Sequence, residues 1–163
     1  AASDVYKRQF THRAPGVIGA AHDSGHVMVE LITDGVHIHP SVVRTTFDMF
    51  KDRVVLISDS MRATGMPDGQ YTLGGQAVTV KGNKATLTEG GALAGSVTNL
   101  MDCVRTAVQK MGIPLEEAVA AATINPAKSV GLDNKYGSIK QGKVGNLVLL
   151  DQNLEIQKVI LNG

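Results

Sequence analysis

An α/β fold follows from three features of this 163-residue sequence. Residues 26–33 and 53–60 each hold a short apolar run that ends in a polar cluster. Residues 41–50 between them place apolar groups at helical spacing, and residues 100–131 add further helical stretches. An apolar run such as Val54–Ile57, bounded by charge before it and by Ser58-Asp59-Ser60 after it, has the pattern of a buried parallel strand. Strand, loop, helix and strand in that order make one βαβ unit. Its two strand ends present His37 and Asp59 on one rim, and the C-terminal rim of parallel strands is where chemistry sits in such folds.

Composition narrows the class. With 43% hydrophobic and 19% charged residues, the chain is globular and long enough for one core, or for most of a larger one. A formal charge of +1 leaves no electrostatic footprint for nucleic acid. No apolar run approaches the roughly 20 residues that span a bilayer, so no membrane partner is expected and the address is cytoplasmic. The single cysteine, Cys103, excludes an internal disulfide and a cysteine-rich zinc site, and lies in a helical apolar stripe as a core thiol. Eighteen glycines and no tryptophan put the special residues into tight turns rather than aromatic packing.

In chain order, residues 1–9 have neither a helical nor an alternating period, lack the layout of a signal peptide, and read as a non-native lead-in. Residues 10–16 are a loop in which Pro15-Gly16 turns the chain just after His12 and Arg13. Arg13 is either a solvated charge or an anion ligand. The strand at 26–33 leads through Asp34-Gly35-Val36-His37 to Pro40, which suits a first helical turn, with positions 43, 46, 47 and 50 facing inward. After Asp59, three alternating runs at 70–73, 76–80 and 84–87, separated by Gly74-Gly75 and Gly82-Asn83, form an inserted β meander. Leu100, Met101, Val104, Ala107, Val108 and Met111 make one helix face, stopped by Gly112 and Pro114. A second helix opens at Pro114 with two acids in its first turn, and Asn125-Pro126 caps a short third that ends at Gly131. Two strands close the chain.

Asp59 has two readings from its residues alone, a cap of the next turn or a catalytic carboxylate delivered by the strand. His37 and His39 have the spacing of a metal pair on extended backbone. Pro40 breaks that strand, so the preferred reading has His39 capping the helix and His37 alone facing the site, with no third ligand at a matching strand end. Gly90-Gly91 and Gly95 precede a helix, but their spacing matches neither nucleotide-binding fingerprint, which leaves close approach of backbone to a ligand.

Six segments together resemble a known family: His-Arg-Ala-Pro-Gly at 12–16, Asp-Gly-Val-His at 34–37, Ser-Asp-Ser-Met-Arg-Ala-Thr-Gly at 58–65, Leu-Ala-Gly-Ser at 93–96, Asn-Pro-Ala at 125–127 and Gly-Lys-Val-Gly-Asn-Leu-Val at 142–148. In order and spacing they resemble the N-acetylglucosamine-6-phosphate deacetylases of the amidohydrolase superfamily. The resemblance implies the C-terminal part of a (β/α)8 TIM-type barrel over residues 10–136, carrying the inserted meander, and terminal strands of a small β-sandwich domain over 137–163. It implies that Asp59 takes a proton from a metal-bound water and passes it to the leaving amine, and that His37 steadies the acetyl oxygen. Asp34, Gly35 and Val36 with His37, and Leu93, Ala94 and Gly95, would contact an amino-sugar phosphate, with Arg13 on its phosphate, in some members across a homodimer interface.

The family holds a divalent metal, commonly zinc or iron, through a glutamate and two histidines on earlier strands. The nearest of these would fall close to Ala2, so no metal ligand is expected in this chain and catalysis belongs to a full-length parent. Two other functions are compatible with the residues: another amidohydrolase acting on cyclic or acyl amides without need of Arg13, and a non-catalytic half-barrel that binds or assembles.

Overall fold

The computed structural model describes residues 10–163; the lead-in expected at 1–9, Ala2 included, lies outside the described residues. Pro15 is followed by a helix that periodicity did not reveal, α1 (Gly16–Asp23). It is short and its register depends on distant parts of the chain. A Cβ on Gly19 would stand 2.4 Å from Pro15 Cβ, so only glycine lets the helix close over its own lead-in. At the other end the Arg53 guanidinium donates to the carbonyls of Ala21, Ser24 and Val27 at 2.8–3.1 Å and to that of His22 at 3.1 Å. Those of Ala21 and His22 are carbonyls that the end of a helix leaves unpaired.

β1 (Val29–Ile32), α2 (Pro40–Phe50), a 3-10 turn over Lys51–Arg53, and β2 (Val54–Ile57) form the expected βαβ unit. The strands are parallel, with Val29 opposite Val54 and Ile32 opposite Ile57. β1 is shorter than the apolar run at 26–33, because β2 offers only four residues between the 3-10 turn and Ser58. The meander is β3 (Gly69–Leu73), β4 (Gln76–Lys81) and β5 (Lys84–Leu87), antiparallel in that order. Then come α3 (Leu100–Gln109), α4 (Leu115–Ala122), α5 (Ile124–Ser129) and an antiparallel pair, β6 (Leu147–Leu150) and β7 (Ile156–Ile160).

Two cores result. Leu31, Val54 and Leu56 of the parallel pair meet Val43, Phe47 and Phe50 of α2, Val104 and Ala107 of α3, and Ala118 and Ala121 of α4. A smaller core joins Val78, Val80 and Ala85 of the meander to Met61, Ala63 and Ala94. Leu100 departs from the expected helix face: it is exposed, and Cys103 is buried in its stead. The β6–β7 pair leaves Val148, Leu149, Ile156 and Val159 about half exposed. Its turn is tied to α3, where Arg105 donates to the Leu154 carbonyl and Glu155, and Gln109 to the Asn153 carbonyl.

Asn125 corrects the sequence reading. It does not cap α5 but sits inside it, fully buried, and its Nδ2 donates to the Val54 carbonyl at 2.8 Å. The helix instead begins after Thr123 with no side-chain cap. A buried carbonyl is costly to leave unpaired, so this amide anchors α5 to the start of β2. Asn125→Ala is expected to destabilise the chain by about 1–3 kcal/mol. Urea denaturation should show a lower midpoint with an unchanged slope.

Candidate active site

Site geometry begins where β1 ends. Thr33 is fully buried and its hydroxyl donates to the Cys103 carbonyl at 2.9 Å. Asp34 then folds the chain back: its Oδ1 accepts the backbone N–H groups of Val36 at 2.9 Å and His37 at 3.0 Å, and its Oδ2 lies 2.8 Å from His37 Nδ1. Gly35 takes φ +77°, which this tight return requires. Burial pushes the Asp34 carboxyl up, but the N–H groups of His37 and Val36 and the imidazole outweigh it, and it titrates below its ordinary value. Asp34 is among the expected substrate contacts; its side chain is only 2% exposed and its carboxylate lies against His37.

Asp59 follows β2 on the same rim. It is exposed, with φ +49°, a left-handed conformation that costs a residue with a Cβ roughly 1–2 kcal/mol. Two backbone bonds hold it: Ser96 N–H donates to the Asp59 carbonyl at 3.2 Å, and Met61 N–H to the Ser96 carbonyl at 2.8 Å. Ser60 bridges to Ser96 as in a parallel ladder, and its hydroxyl lies 2.7 Å from both Ser58 Oγ and the Thr98 carbonyl. Ser96 Oγ in turn accepts from Thr98 N–H at 3.0 Å. The Asp59 carboxylate makes no hydrogen bond or ion pair among the described residues, so it caps no turn there. Strain held by surrounding structure is characteristic of functional positions.

The same ladder brings residues 93–96 beside 59–61. Leu93 is exposed, Ala94 is buried with its N–H on the Ala85 carbonyl, and Gly95 has φ +74°. A Cβ there would also press within 3.4 Å of Leu73. Ser96, Thr98, Thr33 and Cys103 were not singled out as supports of the site. The alternation of Ser96 and Thr98 about Val97 was the signal of an extended segment with one polar side.

The two histidines part company. His39 is the N-cap of α2, its Nδ1 accepting the Ser41 N–H at 3.2 Å, while His37 is held by Asp34. Cys103 is fully buried 3.6 Å from the Ile57 carbonyl, and burial raises its thiol above the usual range. Arg13 is exposed on a turn closed between Thr11 and Ala14, and no bond joins it to Asp34, His37 or Asp59. Among the described residues, no group of three or more His, Cys, Asp or Glu side chains could hold a metal ion. No helix there is long and apolar enough to cross a membrane.

These features define a mixed α/β chain whose acid and histidine emerge from neighbouring parallel strands. Residues 12–163 match the model of the amidohydrolase family, and the chain belongs to that family. Members generally use a divalent metal. A relative from Escherichia coli strain K12, provisionally named an N-acetylgalactosamine-6-phosphate deacetylase, is 40% identical over 152 residues, covering 93% of this chain and 90% of that one. The N-acetylglucosamine-6-phosphate deacetylase of Vibrio furnissii is 39% identical over 156 residues, covering 96% of this chain and 39% of that protein. A solved structure from Mycobacterium smegmatis, a D267A mutant of N-acetyl-D-glucosamine-6-phosphate deacetylase in complex with N-acetyl-D-glucosamine-6-phosphate, superposes with TM-score 0.86. It is 33% identical and covers 96% of this chain and 42% of that one. The chain thus spans about two fifths of the length of these last two proteins.

Two outcomes follow. Because the Asp34 carboxyl is depressed by folding, its contribution to stability is present above the ordinary carboxylate value near pH 4 and lost as pH falls through its lower folded value. The urea midpoint of the wild type should exceed that of Asp34→Ala most at neutral pH, with the gap closing in acid. Asp59→Gly should relieve left-handed strain and raise stability by about 1 kcal/mol, whereas Asp59→Ala should not, as thermal melts of both would show.

Proposed function

We propose that this chain supplies the acid–base end of an enzyme that hydrolyses N-acetylglucosamine 6-phosphate to glucosamine 6-phosphate and acetate, the activity residing in a full-length parent. The observation that carries the reading is Asp59 at the end of β2, its backbone strained and its carboxylate without a partner among the described residues, on one rim with His37. Amide hydrolysis needs a proton removed from water and one delivered to the leaving nitrogen, and one carboxylate serves both in turn. In this reading Asp59 does so, His37 steadies the oxygen on which negative charge develops, and Gly35, Val36 and residues 93–95 lie against the sugar. Arg13, which bonds to none of these residues within one chain, binds the phosphate in the site of a second subunit of a dimer.

The family's divalent metal, zinc or iron in this proposal, would polarise the amide and activate water when bound. The described residues do not fit it, since Asp34 and His37 are committed to each other and His39 to a helix cap. We assign residues 10–136 to a TIM-type (β/α)8 barrel and 137–163 to a small β sandwich, in a cytoplasmic enzyme. The likeness to solved deacetylases supports this division.

Acetate release by the full-length protein from N-acetylglucosamine 6-phosphate should fall about 10²–10⁴-fold in Asp59→Asn. N-acetylgalactosamine 6-phosphate and unphosphorylated N-acetylglucosamine complete the assay. Equal rates with and without the phosphate would move the chain to another amidohydrolase activity; no release from any of them would leave a binding module.

A further inference from the structure

We infer that Asp34 is a positioning residue that fixes the ring proton of His37 on Nδ1 and so makes Nε2 the nitrogen presented to the reacting oxygen. Which nitrogen is held depends only on the geometry; what Nε2 meets rests on the deacetylase reading above.

Every acceptor on Asp34 has an identified use. Oδ1 takes the N–H groups of Val36 and His37, and Oδ2 stands 2.8 Å from His37 Nδ1. An ionised carboxylate only accepts, so Nδ1 must carry the hydrogen. Nε2 has no partner among the described residues, and the His37 side chain keeps 19% of its surface open. The neutral ring therefore offers a lone pair at Nε2, and the doubly protonated ring an N–H. Only the second can donate to an oxygen that is becoming negative. When Nε2 takes up a proton, Asp34, buried directly behind the ring, is its counter-charge.

Asp34→Asn separates this role from packing. The amide oxygen must face the two backbone N–H groups, since the NH2 cannot accept. The NH2 then occupies the place of Oδ2 and donates, so Nδ1 has to accept and the ring proton moves to Nε2. The turn and its volume are kept while the tautomer inverts.

Nitrogen-15 NMR of the imidazoles reads this directly in the present chain, at a pH where the ring is neutral. The His37 signal among the five histidines is assigned by its loss in His37→Gln. The wild type should show Nδ1–H, and Asp34→Asn should show Nε2–H. A wild-type ring protonated on Nε2 overturns the inference without any variant, so the test survives even if Asp34→Asn fails to fold. A folded Asp34→Asn that retains Nδ1–H overturns it equally. In the full-length protein, kcat of His37→Ala should drop with KM little changed, because no N–H is left to meet the developing charge. If the wild-type ring carries Nδ1–H and His37→Ala leaves kcat unchanged, the placement of the proton stands and the catalytic role given to His37 falls.

Discussion

Four parallel residue pairs, from Val29 opposite Val54 to Ile32 opposite Ile57, set the position of everything chemical in this chain. A slip of one residue would turn Leu31 and Leu56 away from the helices and send Thr33 and Ser58 to the wrong side of the sheet. The register is locked from both ends. At the start of β2, Arg53 collects carbonyls at and just beyond the end of α1, and Asn125 takes up the carbonyl of Val54. At its finish, Cys103 lies against the Ile57 carbonyl while its own carbonyl accepts from Thr33. Helix α3 thereby touches both strand ends through a single residue.

The rim above this ladder is built of polar groups that are used rather than left free. Asp34, Thr33, Ser96 and Thr98 are buried, and each has a partner: a backbone N–H, a carbonyl or an imidazole. Buried polar groups hold one geometry when satisfied, because every alternative leaves something unpaired in a poor solvent for it. Asp59 is the exception. Its backbone is clamped by Ser96, while its carboxylate makes no bond among the described residues.

Much of this was legible in the residues. Local patterns carried the strand at Val54–Ile57, the meander with its glycine turns, and the helix after Pro40 with His39 as its cap. What escaped depends on distant partners. Helix α1 needs Arg53, more than 25 positions further on, to satisfy its end. Asn125 looked like a cap because Asn before Pro usually is one, and only the buried Val54 carbonyl gives it another task. The inward turn of the Asp34 carboxylate is fixed by two N–H groups that the sequence does not point.

The bridge between Ser60 and Ser96 closes residues 61–95 into an excursion that departs from and returns to one spot. The meander inside it packs on a core of its own, supplied almost wholly from within the same loop. Closing a longer or shorter loop changes entropy only slowly with length. The shape of this excursion is therefore decoupled from the placement of Asp59. Substitutions, insertions or a swapped meander can remodel this excursion while its anchor, and with it Asp59, stays where β2 and Ser96 put it.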